Sequence, residues 1–555
     1  MKTSLVALTV LLAGSALFAA DSTSLPPGAE KAAEAINAHT LAAPVHYLAD
    51  DLLEGRGPAT RGDELARLYL QTRMEDLGLQ PADDDGTWQQ KFDIVGINSQ
   101  MPEKWSFKTR SGEVSFDKGS EFMAYSGRQK PEVDIRNAEL VFVGYGIQAP
   151  EYKWDDFKGA DLHGKVLVML NSDPDWDPNL FQGKTRLYYG RWTYKYESAA
   201  RQGAAGAIII HTTPSAGYPW QVVQTSWGGV QYELPAESEP RVDVRGWLTE
   251  AAAQKLLQMG GFDLAKLTQS ARSRDFRPMP LGITTSIDLK NEISRKTTGN
   301  VLGLLPGTDL KDQVVVYSAH HDHLGVGSPD ANGDRIYNGA LDNASGCAEV
   351  LSIAEAFQAL PERPRRSILF LFVAGEEQGL LGSKYYSLHP TFAPGKIAAD
   401  INFDGGNILG KTKDLTLIGM GKSSLDRIAT AFAAKQGRVV EPDQFPDRGF
   451  YYRSDQFSFA KIGVPALYFG SGTDFVGRPE GWGRTQREMW EAKHYHQPSD
   501  EIDSSWNFDG MIENTRLGFF AGLAIADADQ MPVWNPGDEF AAARTKALAD
   551  VSGGH

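Results

Sequence analysis

Three apolar segments in the second half of the chain constrain its fold more than any other feature. They span residues 313–319, 367–373 and 397–403 and are mainly Val, Ile, Leu, Phe and Ala. Strands that are apolar on both faces are typical of central strands covered by helices on both sides. Strand and helix patterns alternate from residue 299 onward. This alternation predicts an α/β fold with a mixed, mostly parallel sheet flanked by helices.

Metal-binding residue types follow each of these three strands. Because ligands of open α/β sheets bind beyond the carboxyl ends of the strands, we expect these groups to converge on one crevice. Imidazoles and carboxylates together form a ligand set for divalent metals, zinc first. The number of carboxylates predicts two Zn²⁺ ions, bridged by one Asp and one water. The residues concerned are His320, Asp342, Glu376, Glu377, Asp404 and His496.

Each of these signals also has a structural interpretation. A single His at a strand end is usually structural, and adjacent Glu residues on a loop usually form a solvated surface. The placement of all of them after successive buried strands favours a metal site instead. For the neighbouring His321, His323 and His494, the sequence leaves open whether they take part or are merely nearby.

Five motifs resemble those of the M28 zinc peptidases, a family that includes bacterial aminopeptidases and glutamate carboxypeptidase II. Residues 55–81 also look like the start of that fold, and the resemblance covers nearly the whole mature chain. It implies a zinc exopeptidase fold and a peptide substrate. The motifs are Ala319-His-His-Asp322, Leu341-Asp-Asn-Ala-Ser-Gly346, Gly375-Glu-Glu-Gln-Gly-Leu-Leu-Gly-Ser383, Asn402-Phe-Asp404 and Tyr495-His-Gln-Pro-Ser-Asp500.

The resemblance implies a role for each metal ligand. His320 and Asp404 would lie on opposite metals, with Asp342 bridging the two ions. Glu377 would join one ion and His496 the other. The sequence alone does not settle which of these ligands pair on which zinc.

Three further residues are candidates for catalysis. Glu376 would be the general base, because a base must sit beside the attacking water without being a metal ligand. Asp322 would orient His320, since a ligating His needs a partner on its other ring nitrogen. Tyr451 has the spacing from a Ser-Asp pair that an oxyanion donor has in related aminopeptidases. The adjacent Tyr452 competes for this role, and an aromatic residue packed beneath the pocket is the alternative.

These features favour an aminopeptidase that removes N-terminal residues over a carboxypeptidase of the same fold. A glutaminyl cyclase-like enzyme shares the fold but uses one zinc, so the full ligand set argues against it. A binding module that has lost catalysis is the third alternative, and the intact candidate ligands argue against it too. The oligomeric state is open.

Two other function classes find little support. Residues 405–412 match the P-loop pattern, but residues 414–419 read as a strand, whereas a P-loop must open a helix. Nucleotide binding is therefore not expected. The formal net charge of −16 argues against nucleic acid as a partner, because a phosphate backbone requires clustered Lys and Arg.

The chain divides into five predicted segments. Residues 1–20 have the pattern of a signal peptide, so we expect a secreted or periplasmic protein, and no later stretch is apolar enough to span a membrane. Residues 21–95 and 291–530 would form the peptidase domain, interrupted by a β-rich insert over 96–290 that is similar to a protease-associated domain. Residues 531–555 read as a polar tail. The single Cys347 permits no intrachain disulfide and is expected to be buried.

Overall fold

A computed structural model of the protein describes residues 24–236 and 239–553. The predicted signal peptide, residues 1–20, lies outside the described residues. Among the described residues, no helix has the length and apolar character needed to cross a membrane.

Four parallel strands form the centre of the main sheet. They lie side by side in the order Arg366–Val373, Leu310–His320, Ile397–Asn402 and Ala466–Gly470. Antiparallel strands border them: residues 301–305 of Met279–Leu305 on one side and Asp414–Ile418 on the other, followed by Val439–Pro442. The predicted mixed, mostly parallel sheet is confirmed.

Helices cover both faces of this sheet, which explains the continuous apolar character of its strands. In strand Leu310–His320, Val315, Tyr317 and Ala319 pack on one face, whereas Val314 and Val316 pack on the other. The first face is covered by helices Ala38–Leu48, Arg61–Asp76, Ser345–Gln358, Leu425–Lys435 and Asp509–Asp527. Leu381–Leu388 and Gln456–Lys461 cover the second.

The insert continues the main sheet instead of forming a separate one. Strand Gln89–Gln100 pairs with residues 290–301 of Met279–Leu305, and the other half of that long strand pairs with Glu132–Phe142. The predicted borders at 95/96 and 290/291 therefore fall inside two continuous strands. The insert and the rest of the fold therefore share these two strands.

Within the insert, four parallel strands pair in the order Glu132–Phe142, Val166–Leu170, Gly206–His211 and Val244–Thr249. The insert also contains strands Lys104–Lys108, Glu113–Asp117, Phe122–Ser126, Gln148–Ala149, Trp154–Asp155 and Gln231–Glu233. Its helices are Trp192–Arg201, Thr213–Ala216, Trp220–Ser226, Glu250–Met259 and Leu264–Ala271. The insert is thus more mixed than the expected β-rich domain, and its similarity to a protease-associated domain stays a prediction.

The segment predicted as a polar tail contains a packed helix, Ala541–Ser552. The buried guanidinium group of Arg544 on this helix donates to the backbone carbonyls of Pro394 and Ile397 at 3.1 and 2.9 Å. This segment therefore belongs to the folded body.

The remaining α-helices and β-strands are helices Ala29–Ala32 and Trp482–Lys493 and strands Gln80–Pro81, Gly325–Val326 and Ile336–Tyr337.

Two smaller predictions are confirmed. The P-loop-like residues 405–412 lead into strand Asp414–Ile418 and open no helix. Cys347 is fully buried, and its thiol donates to the backbone carbonyl of His320 at 3.1 Å.

Candidate metal centre

The carboxyl ends of the central strands deliver most of the candidate ligands. His320 is the last residue of strand Leu310–His320, and Asp404 lies two residues after strand Ile397–Asn402. Glu376 and Glu377 begin a short 3₁₀ turn after strand Arg366–Val373. Because these strands are parallel neighbours, their ends bring the side chains to one edge of the sheet, as expected.

Hydrogen bonds from two other loop residues fix Asp342 opposite these strand ends. The Asp500 carboxylate accepts the backbone N–H groups of Leu341 and Asp342 at 2.9 and 3.0 Å. The Asn343 side chain donates to the carbonyl of Phe403 at 2.9 Å and accepts the N–H of Gly405 at 3.0 Å. The loop that carries Asp342 is thereby tied to the loop that carries Asp404.

One ligand group consists of His320, Asp342 and Asp404. Nε2 of His320 lies 3.3 Å from Oδ1 of Asp342 and 3.5 Å from Oδ1 of Asp404. This nitrogen is buried and has no hydrogen-bond partner among the described residues. A buried imidazole nitrogen that faces two carboxylate oxygens without a hydrogen bond fits a divalent metal, and zinc is the usual ion for such donors.

A second group shares Asp342 with the first. Nε2 of His496 lies 3.0 Å from Oε2 of Glu377 and 3.4 Å from Oδ2 of Asp342. The two oxygens of Asp342 therefore face the two groups, which is the arrangement expected of a bridging carboxylate.

The pairing of ligands differs from the one that the resemblance suggested. His320 and Asp404 lie in the same group instead of opposite each other, and Glu377 and His496 share the other group. Sequence spacing could not decide this pairing, because it depends on which oxygen of Asp342 each imidazole faces.

Neighbouring groups of opposite charge shift the pKa values of His496 and Glu377 strongly. Burial lowers the pKa of His496, but the charges of Glu377 and Asp342 outweigh it and raise that pKa to about 10. Burial raises the pKa of Glu377, yet His496 and His323 outweigh it and bring that pKa to about 2. The cluster thus favours positive charge, which a divalent ion would supply in place of protons.

Glu376 belongs to neither ligand group, and its side chain lines two cavities at the centre. Its backbone N–H donates to Oδ1 of Asp322 at 3.1 Å. Burial raises the pKa of Glu376 well above its ordinary value; His320 opposes this shift, while Glu377 and Asp404 add to it. A carboxyl group with a raised pKa beside a metal centre suits proton transfer.

Asp322 contacts His320 mainly through its backbone. Nδ1 of His320 lies 3.2 Å from the carbonyl oxygen of Asp322 and 3.8 Å from its carboxylate Oδ1. The carboxylate itself positions the backbone of Glu376, as described above. Asp322 therefore supports both residues, although the predicted carboxylate contact to His320 is the longer one.

The three neighbouring histidines have different surroundings. Nδ1 of His323 lies 2.6 Å from Oε1 of Glu377, so His323 joins the second ligand group. Nε2 of His321 lies 3.0 Å from Asp63, in the helical part of the fold. His494 is half-buried, contacts Ser499 and belongs to neither ligand group.

Tyr451 is not brought to this centre. Its ring is buried against Tyr452 and Phe540, with the Lys422 ammonium 5.1 Å from the ring centroid. It lines neither of the two cavities that contain Glu376. The packing alternative describes Tyr451 better than the predicted role as oxyanion donor.

Tyr495 is a site residue that sequence reasoning missed. It lines both cavities that contain Glu376, and its hydroxyl oxygen accepts a hydrogen bond from Arg453 at 2.8 Å. Because the oxygen is the acceptor, the hydroxyl proton is available to another acceptor in the cavity. Its position directly before the predicted ligand His496 was the available signal.

The insert forms part of the wall of the centre. Oγ of Ser226, on the insert helix Trp220–Ser226, lies 3.2 Å from Nδ1 of His496. Tyr218 of the insert lines a cavity of about 230 Å³ together with Asp342 and Asp404. A further cavity of about 300 Å³ lies beyond Asp404 and is lined by apolar side chains such as Ile418 and by polar ones such as Asp443.

The chain is similar in sequence or fold to several known proteins. The chain is 27% identical over 264 residues to leupeptin-inactivating enzyme 1 of Streptomyces exfoliatus, covering 47% of this chain but only 55% of that protein. It is 26% identical over 445 residues to the probable leucine aminopeptidase 2 of Aspergillus fumigatus, covering 77% of this chain and 74% of that protein. The structure of an aminopeptidase from Aneurinibacillus sp. strain AM-1 has the same fold, with a TM-score of 0.52, 18% identity and coverage of 92% and 98% of the two chains.

A family model matches the part of the chain that contains the candidate ligands. The model of peptidase family M28 matches residues 300–519, a range that contains His320, Asp404 and His496. The range also contains the four central parallel strands. Residues 300–519 of this chain are therefore a peptidase family M28 domain.

Proposed function

We propose that the protein is an exported two-zinc aminopeptidase that hydrolyses the N-terminal peptide bond of its substrate. The observation that carries this proposal is the pair of ligand groups that share Asp342 beside Glu376. His320, Asp342 and Asp404 would hold one ion. Glu377, His496 and Asp342 would hold the other, with His323 supporting Glu377. Similarity to a leucine aminopeptidase supports the reaction class, and the predicted signal peptide supports export.

When bound, the two ions would lower the pKa of a water molecule and polarise the scissile carbonyl group. Glu376 would accept a proton from the attacking water and return it to the leaving amine. Its carboxyl group lines the cavities without belonging to either ligand group, so it stays available for this transfer. Tyr495 would donate a hydrogen bond from its hydroxyl group to the oxyanion that forms from the carbonyl.

The charge around the cavity of about 230 Å³ supports recognition of an amine. Five acidic residues, among them Asp342 and Asp404, line this cavity and outnumber its three arginines, Arg448, Arg453 and Arg487. Negative side chains attract an ammonium group and repel a carboxylate. We therefore place the α-amine of the substrate on the Asp404 side of the centre.

Glu376→Gln tests the proposal most directly. The amide cannot take up the proton, so kcat should fall by roughly 10²- to 10⁴-fold. The zinc content should stay at two equivalents, because Glu376 lies outside both ligand groups. Hydrolysis of peptides with a free α-amine and metal analysis by mass spectrometry give the two readouts. Glu480→Gln, at an exposed position, is the matched control.

Other outcomes would point to the alternatives. Unchanged activity of Glu376→Gln would contradict its role as the base. Cleavage of amine-blocked peptides with a free carboxyl end would identify a carboxypeptidase. One zinc equivalent with release of a cyclised N-terminus would indicate a glutaminyl cyclase-like enzyme, and absence of both metal and hydrolysis would indicate a binding module.

A further inference from the structure

A buried arginine on the insert faces the metal centre without a partner. The side chain of Arg191 is only 8% exposed and lines a cavity of about 190 Å³ that also contains Glu376 and Glu377. Its Nε is buried without a hydrogen bond, and its guanidinium group forms no ion pair or hydrogen bond with any described residue. Buried cations in proteins are normally paired with an anion, because desolvation of an unpaired charge is costly.

A second arginine lines the same cavity. Arg453 donates one N–H to the hydroxyl oxygen of Tyr495, which leaves its other N–H groups for another acceptor. Its guanidinium group lies over the rings of Tyr218, Phe450 and Tyr495, and it forms no salt bridge with a carboxylate among the residues that the structure describes. In a chain with a net charge of −16, two such arginines without a carboxylate partner are unexpected.

The two guanidinium groups influence each other. Burial, and then the charge of Arg453, lower the pKa of Arg191 to about 9. An anion that accepts hydrogen bonds from both groups would offset the burial and the mutual repulsion. The planar fork of a guanidinium group matches a carboxylate in particular, since both can form two parallel hydrogen bonds.

The position of the pair indicates which part of a substrate it would meet. Glu377 lines the cavity that contains Arg191, whereas Asp404 does not line it. Asp404 lines the neighbouring cavity, and Glu376 and Arg453 line both cavities. A substrate whose amine lies on the Asp404 side would therefore extend its leaving residue past Glu376 and Arg453 toward Arg191.

We propose that Arg191 and Arg453 form a subsite for the terminal carboxylate of the leaving peptide, so that the enzyme prefers di- and tripeptides. This inference rests on the proposed function and names its substrate class. An acidic side chain on the leaving residue would offer the arginines the same carboxylate group. A substrate with a free terminal carboxylate and one with only a side-chain carboxylate distinguish the two possibilities.

The test compares kcat/KM for Leu-Gly, Leu-Gly-amide and Leu-Glu-amide. Wild type should prefer Leu-Gly over Leu-Gly-amide by roughly 10- to 100-fold, the worth of charge-assisted hydrogen bonds in a buried site. Arg191→Met should reduce this preference severalfold or more, mainly through KM for Leu-Gly, and leave kcat/KM for Leu-Gly-amide unchanged. Arg201→Met, at the exposed end of the same helix, is the matched control and should keep the preference.

Several results would overturn the inference. Equal rates of wild type on Leu-Gly and Leu-Gly-amide would do so without any variant, even if Arg191→Met failed to fold. An equal loss of kcat/KM for Leu-Gly and Leu-Gly-amide in Arg191→Met would also overturn it, since that loss indicates a structural role. A preference of wild type for Leu-Glu-amide over Leu-Gly would overturn it as well. In each of these cases the proposed aminopeptidase activity would stand. If wild type hydrolysed none of the three substrates, the aminopeptidase activity itself would be refuted.

Discussion

At the scale of single residues, His323 is the side chain whose environment most changes the interpretation of the centre. It contacts the predicted ligand Glu377 at 2.6 Å, although its neighbours His321 and His494 do not reach the site. An imidazole that donates to a ligating carboxylate fixes the orientation of that carboxylate. His323 therefore contributes to the metal site without being one of the five predicted ligands.

We expect His323→Leu to weaken binding of the zinc ion on the Glu377 side by roughly 10- to 100-fold, because Glu377 loses its hydrogen-bond donor. Competition with a chelator, followed by metal analysis, measures this affinity. His323→Asn retains a donor and should lose less. His494→Leu, at a half-buried histidine outside both ligand groups, should bind zinc like wild type. Equal zinc affinities for His323→Leu and wild type would refute the supporting role.

The surroundings of His211 lead to a separate prediction about how stability depends on pH. It is buried in the insert, and its Nε2 lies 3.2 Å from the backbone carbonyl of Tyr218, to which the neutral ring can donate. Burial lowers its pKa from 6.5 to about 4. The unfolded chain therefore binds a proton more readily, so the stability contribution is complete above pH 6.5 and is lost as the pH falls toward 4.

When the pH falls from 7 to 5, we expect the titration of His211 to lower the free energy of unfolding by about 2 kcal/mol. His211→Gln keeps a donor for Tyr218 but cannot titrate in this range. We expect its thermal midpoint to fall less than that of wild type when the pH is lowered from 7 to 5. Parallel decreases in the two proteins would show that other groups dominate the acid sensitivity.

At the scale of elements, the central strands and their endings were predictable from the sequence. Apolar runs such as residues 367–373 are typical of central strands, and the polar residues after them mark the carboxyl edge of the sheet. The roles of tyrosines were less accessible. Tyr451 and Tyr495 both lie near predicted motifs, but only packing shows that one ring is buried against Phe540 while the other lines the cavities.

The long strands were harder to predict than the short ones. Met279–Leu305 and Gln89–Gln100 extend through the borders that the family resemblance suggested for the insert. Alternating apolar residues such as Ile283, Ile287 and Leu289 indicate a strand, but they do not identify its partners. Pairing over residues 290–301 is a long-range property that appears only in the fold.

At the scale of the whole molecule, this pairing has a consequence for unfolding. Strands Gln89–Gln100 and Met279–Leu305 belong to both the insert and the M28 domain. We therefore expect these two parts to unfold in one cooperative transition. Differential scanning calorimetry of the metal-free protein would show a single endotherm. Deletion of residues 96–290 should yield a protein that does not fold, since strand Gln89–Gln100 and its partner are both cut.

Two well-separated endotherms would contradict this expectation. A soluble, zinc-binding deletion variant with a cooperative melt would contradict it as well. Deletion of residues 110–112, the exposed turn between strands Lys104–Lys108 and Glu113–Asp117, provides the control for the general effect of removing residues. That variant should retain zinc binding.

The contact between Ser226 and His496 joins two parts of the chain that are 270 positions apart. If His496 holds its ligand orientation through this contact, docking of the insert contributes to the affinity for the ion. Thermodynamic linkage is reciprocal, so the ion must then stabilise the docked insert by the same free energy. An enzyme of this design would acquire its complete substrate-binding wall and its catalytic metals as one coupled event.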